Sequence, residues 1–176
     1  MRPPIQRPAV QDSYPDTRVA GFPGQLADLR SVSREAVASY TTETRVYIGR
    51  AVVKGRLDSD PFNLQPFAVK APEGTSTSED LQGIVAYTYA AEQDEHGASF
   101  LPGNTLVGVI EAGHGVLVYV CIAKDQVLTH GDPVYVAVAP AHERGRFSNQ
   151  PAEGFIEWPG VTWHKQVGPE LAVIYL

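Results

Sequence analysis

The side chains with acid–base or metal-binding chemistry are five histidines, His96, His114, His130, His142 and His164, and a single cysteine, Cys121. A zinc or hydrolytic centre needs two or three such groups gathered with carboxylates or a nucleophile, and no two of these histidines stand in a ligand spacing. His130 and Asp132, in the run THGD, stand two positions apart as a candidate histidine–carboxylate pair. Their separation around a glycine reads as turn chemistry. The rival reading is a small hydrolase in which they work with a distant Ser or Thr inside a concave pocket. His114, in AGHG, reads as a turn residue. Cys121 lies inside VLVYVCIA, which predicts a small buried apolar residue rather than a nucleophile, and one cysteine makes no intramolecular disulfide. P-loop, GxGxxG, GxSxG, HExxH and EF-hand patterns do not occur. The expectation is a protein that is not an enzyme and has no catalytic residue, cofactor or metal.

The charge balance narrows the partners. Twenty acidic against fourteen basic residues give a net charge of -6, which opposes contact with a polyphosphate backbone, so nucleic acid is not an expected partner. The densest basic spot, HERGR at 142–146, reads as a solvated turn between strands. Of the 176 residues, 43% are hydrophobic and 19% charged, the composition of a soluble globular protein. No apolar stretch approaches the roughly 20 residues of a membrane helix, so no membrane partner is expected. The opening MRPPIQRPAV lacks the apolar segment of a secretory signal, and cytosolic synthesis is the expectation.

Any functional surface must therefore be carried by β structure. Residues 105–139 are strand-forming almost throughout, and the runs VLVYVCIA (116–123) and VYVAVA (134–139) are apolar without a break. A half-solvated strand would alternate apolar with polar residues, so both faces of these strands call for cover, one by the domain's own core and the other by a neighbouring protein. Further strands are expected at 45–54, 67–70 and 83–91, and in the closing LAVIYL, with loops at 58–66 and 74–80 and turns at 92–98 and 101–104. The links AGHG (112–115) and THGDP (129–133) are short, the first suited to a tight hairpin, and predict a local antiparallel topology. Residues 25–40 admit a short amphipathic helix through Leu26, Leu29, Ala36, Val37 and Tyr40. Pro3, Pro4, Pro8, Pro15 and Pro23 all precede Gln25, and each fixes φ and removes a backbone donor. The expected fold is mainly β. Residues 21–176 form a single β-rich domain, a compact antiparallel β-sandwich or barrel-like body, preceded by an extended Pro-rich N-terminal arm at 1–20. The arm is either a floppy tail or a segment that orders on a partner, with Ile5, Val10, Tyr14 and Val19 suited to successive pockets on a neighbour.

Six short pieces in order, PGQLADL (23–29), YIGRAVVKG (47–55), GIVAYT (83–88), GDPVYV (131–136), GRF through Arg146 and Phe147, and LAVIYL (171–176), resemble the tailed-phage capsid cement, or decoration, proteins. The resemblance covers roughly residues 14–176. It implies a non-enzymatic virion structural protein, made in the bacterial host cytoplasm, that binds the outer surface of the major capsid shell. There it would clamp neighbouring capsid subunits and stabilise the shell against internal DNA pressure, as a homo-oligomer with a trimer favoured. The chain departs from the family pattern in its Pro-rich first twenty residues and in the 56–82 region. A carbohydrate-binding β module, stacking host or surface glycans on Tyr87, Tyr89, Trp158 and Trp163, is the alternative from another class.

Overall fold

The computed structural model describes residues 21–28, 36–57, 65–140 and 143–176. The expected arm with Ile5, Val10, Tyr14 and Val19, the middle of the expected helix and His142 lie outside the described residues. Among the described residues there are thirteen strands: β1 (Val37–Thr41), β2 (Val46–Tyr47), β3 (Ala51–Leu57), β4 (Phe67–Lys70), β5 (Leu81–Val85), β6 (Glu92–Gln93), β7 (Ser99–Leu101), β8 (Leu106–Glu111), β9 (Leu117–Cys121), β10 (Pro133–Ala137), β11 (Phe147–Ser148), β12 (Phe155–Gln166) and β13 (Leu171–Tyr175). They make two five-stranded sheets, ordered β1-β8-β5-β3-β4 and β11-β10-β12-β13-β9, and a small sheet β2-β7-β6. Every ladder is antiparallel.

Each large sheet curls until its outer strands meet. Thr42 bridges Val69, and the Glu43 N–H donates to the Val69 carbonyl at 2.7 Å. In the second sheet Ile122 bridges Phe147, and the Ala123 N–H donates to the Phe147 carbonyl at 2.8 Å. Closure removes unpaired edges that would otherwise template further strands, and it gives the barrel-like body expected.

The middle of the first sheet is apolar on both faces because it separates two cores. Val52, Val85, Val107 and Val109 point one way, toward Tyr40 and Val69. Ala51, Val53, Ile84 and Ile110 point the other, into a larger core shared with Val118, Ile122, Phe147, Trp158 and Trp163 of the second sheet. Valine and isoleucine predominate there because a β-branched side chain fits a pleated surface covered on both sides.

Several expectations need correction. The AGHG link is not a hairpin between paired strands: β8 lies in the first sheet and β9 in the second, so the link carries the chain across the shared core. β9 and β10 share a sheet but are separated by β12 and β13, so the topology there is not local. The hairpin of β12 and β13 enters between them because its Trp163, Ala172 and Ile174 fill the same core as Val118 and Val120. The helix expected to reach Tyr40 is replaced at its end by β1, which pairs with β8 from Val37↔Ile110 to Thr41↔Leu106. There a β-branched and aromatic run gains a full ladder, and the pairing overrides helical spacing. The strand expected over 45–54 is broken at Gly49, whose φ of 71° turns the chain between β2 and β3. The one over 83–91 ends at Val85.

Candidate interaction surface

Residues 21–28 run along the outer edge of β9. The Gly24 N–H donates to the Tyr119 carbonyl at 2.7 Å, the Tyr119 N–H to the Gln25 carbonyl at 2.9 Å, and the Ala27 N–H to the Leu117 carbonyl at 2.7 Å. The Gly24 carbonyl accepts from the Tyr87 N–H at 2.9 Å, so this segment stitches the second sheet to the stretch that follows β5. Only glycine fits at Gly24: its φ is +74°, and a Cβ would stand 2.4 Å from the Val85 carbonyl oxygen. Gly49 serves the same seam, since a Cβ there would stand 2.4 Å from Pro23 Cβ. The edge of β9 is thus paired by the chain itself.

Beside this seam lies a cleft of about 500 Å³ with Phe22, Pro23, Tyr47, Ile48, Tyr87 and Leu171 among its walls. Arg50, Arg146 and Glu170 also line it, and they belong to an ion-pair chain joined through Glu143. Arg50, only 7% exposed, donates through Nη2 to Glu143 Oε2 at 2.8 Å. Arg146 donates through Nε to the same oxygen at 2.8 Å and through Nη1 to Glu170 Oε2 at 2.7 Å. Arg146 Nη1 also reaches the Ile122 carbonyl at 2.8 Å, which ties the chain to the shared core. Burial alone would raise the Glu143 pKa, but the Arg146 and Arg50 guanidiniums outweigh it and hold the carboxyl below its usual range. The Arg50 guanidinium also lies over the Tyr47 ring, 4.3 Å from its centre, and fixes that ring as a wall.

At the mouth of the cleft three aromatic rings form an exposed ladder. Phe22 stacks on Tyr87 with ring centres 5.4 Å apart, and Tyr87 meets Tyr89 edge-on at 5.3 Å. They are 52%, 37% and 95% exposed respectively. Scattered apolar side chains are ordinary on a protein surface, whereas aromatic rings gathered beside buried arginines have the composition of protein-binding hot spots.

The residues singled out for chemistry do not assemble. Asp132 accepts from the Thr129 N–H at 3.1 Å and from Asn149 Nδ2 at 3.0 Å, which closes its own turn. His130 instead places Nδ1 3.2 Å from the His164 carbonyl oxygen, so the pair does not form a catalytic dyad. Cys121 lines the cleft with Sγ 3.6 Å from the Ile48 carbonyl oxygen, and burial pushes its thiol pKa up, opposing thiolate formation. Trp158 and Trp163 are 4% and 0% exposed in the shared core, so they offer no glycan-stacking face and share no surface with Tyr87 and Tyr89. Among the described residues no group of three His, Cys, Asp or Glu is placed to hold a metal ion, and no helix is long and apolar enough to cross a membrane. Sequence reasoning missed Phe22, Tyr47, Arg50 and Arg146. The only local signal was GFPG and YIGR, two glycine-bounded runs carrying aromatic rings beside a turn.

Comparison with known proteins agrees with this picture. No curated protein matches the chain. Among solved structures, a chain of the capsid of Myoviridae phage XM1 superposes with a TM-score of 0.68 at 15% identity, covering 95% of this chain and 96% of that one, a likeness of fold. Residues 10–176 match the family model described as "Structural cement protein (E217 gp24/Pam3 gp6)". A match over nearly the whole chain, on a mainly β body, leads to one conclusion: the chain belongs to the structural cement proteins of phage capsids.

Proposed function

We propose that this protein binds the outer surface of the major capsid shell, spans neighbouring capsid subunits and clamps them against the internal pressure of packaged DNA, without catalysis. The observation that carries the reading is the exposed Phe22, Tyr87 and Tyr89 ladder beside Arg50 and Arg146, at the point where the arm leaves the body. Rings of low conformational entropy backed by fixed guanidiniums suit an anchored contact. A ligand that binds only the assembled shell stabilises it by mass action, about 2.7 kcal/mol at a hundred times its dissociation constant, and a standard interface of roughly 1,600 Å² is enough. The arm residues Ile5, Val10, Tyr14 and Val19 reach a neighbouring subunit and occupy successive pockets on it. The working unit is a homo-oligomer, a trimer in the favoured form, and neither nucleic acid nor membrane is its partner.

Deletion of residues 1–20 tests the arm, and Tyr89→Ala tests the ladder. Each variant is added to expanded capsids lacking the protein, and the fraction retained after washing is measured with the temperature at which the shells open. Both variants are expected to be retained less than the native protein and to open at lower temperature. Undiminished retention of both would refute the reading.

A further inference from the structure

We infer that the cleft walled by Phe22, Tyr47 and Tyr87 receives the Pro-rich arm, residues 1–20, of a second copy of this chain. The inference deepens the proposed function, since it names the neighbour that the arm reaches and the pocket that it fills. Three observations support it.

The first is chemical. Pro-rich segments dock into grooves lined by aromatic rings, because proline faces pack on the rings and the extended backbone loses little entropy on binding. Here the cleft has Phe22, Tyr47 and Tyr87 in its walls with Pro23 already seated beside them, and the arm carries Pro3, Pro4, Pro8 and Pro15. Tyr89, 95% exposed, continues the aromatic surface beyond the mouth.

The second is length and position. Twenty residues precede Gly21, which packs so closely on the Tyr119 ring that a Cβ would stand 2.4 Å from it and which is followed by Phe22 of the cleft wall. At about 3.1 Å per residue an extended arm spans about 60 Å, well beyond a body whose expected radius of gyration is about 16 Å. An arm of that length can reach the corresponding cleft of another copy.

The third is charge. Arg2, Arg7 and Arg18 against Asp12 and Asp16 give the arm +1, leaving -7 for the rest of a chain whose total is -6. A cationic arm is therefore attracted to an anionic body and not repelled by it. An arm-to-cleft contact is heterologous, and successive copies close into a ring where the rotation allows it, which fits the homo-oligomer proposed above.

Two full-length variants test this by sedimentation velocity, with no capsid present. One carries Ile5→Asp and Val10→Asp in the arm; the other carries Tyr87→Arg in the cleft. The native protein is expected to associate in a concentration-dependent way, and each variant alone to sediment as a monomer, with affinity reduced at least tenfold. An equal mixture of the two is expected to recover a dimer, since it holds one intact arm and one intact cleft; this recovery also shows that both variants are folded. A native protein that stays monomeric would overturn the inference, as would variants that still associate or a mixture that stays monomeric. Capsid retention is measured apart from this. Copies that associate through arm and cleft yet wash off capsids would refute the capsid reading and leave this inference standing.

Discussion

Gly24→Ala is the most direct test of the seam that holds the arm to the body. The substitution places a side chain at φ +74°, a left-handed conformation that costs a non-glycine residue about 1–2 kcal/mol. Its Cβ would also stand 2.4 Å from the Val85 carbonyl oxygen and 2.7 Å from the Tyr87 nitrogen, both backbone atoms of a packed sheet that cannot swing aside. The chain then either strains the seam or releases it. Release forfeits the four backbone hydrogen bonds that tie Gly24, Gln25 and Ala27 to Tyr87, Leu117 and Tyr119, at about 1 kcal/mol each, which caps the loss near 4 kcal/mol. Strain and cap together give an expected loss of about 3 kcal/mol, equivalent to about a hundredfold faster opening. Native-state hydrogen exchange at the amides of Ala27, Tyr87 and Tyr119 reads this locally, and the core amides of Val109 and Val120 serve as reference. Rates at the three seam amides within a few-fold of native would refute the reasoning.

Other outcomes follow from the packing and the charges. Trp163→Ala should cost about 3–5 kcal/mol in urea unfolding, since the side chain is fully buried at the centre of the shared core. Trp163→Phe should cost clearly less, because the indole Nε1 is buried without a hydrogen-bond partner and its removal offsets part of the lost volume. Glu143, whose folded pKa is depressed by Arg146 and Arg50, contributes stability at pH values above the ordinary carboxylate range; that contribution should disappear as pH falls through and below that range. Thermal melts across this window should show Glu143→Gln with a flatter acid limb than the native protein, and a small difference, because Glu143 is nearly half exposed. Tyr89→Ala should leave the free energy of unfolding in urea within about 0.5 kcal/mol of native while lowering capsid retention, which separates a binding role from a structural one.

Particular elements show where sequence reasoning reached and where it stopped. Phe67–Lys70 is a strand with the bounds that its composition suggested, and LAVIYL is β13 locked between β12 and β9. These segments are short, β-branched and bounded by turn residues, so local preference and tertiary pairing agree. The helix that spacing allowed at Val37 to Tyr40 became β1, because a ladder with β8, some seventy positions away in the register Val37↔Ile110, outweighed a local preference of tenths of a kcal/mol. The hairpin expected at AGHG failed for a related reason: the turn chemistry is sound, but a turn of this kind can also lead across a core to a different sheet. Cys121, expected to be buried, is only partly so, because it lines a cleft that depends on Tyr47, Tyr87 and Leu171, drawn from three separate parts of the chain.

Composition and local pattern by themselves determined the β class of this protein, the apolar identity of its strands and the lack of any clustered catalytic motif, because these depend on side-chain shape, polarity and nearest neighbours. Strand order, closure of both large sheets, the sinking of Trp158 and Trp163 into the core and the gathering of Phe22, Tyr87 and Tyr89 at one rim were decided only in three dimensions. The physical reason is that each of these depends on which distant segment covers a given face or edge. That choice is made by the free energy of burying whole surfaces together, and no short stretch of the chain carries it.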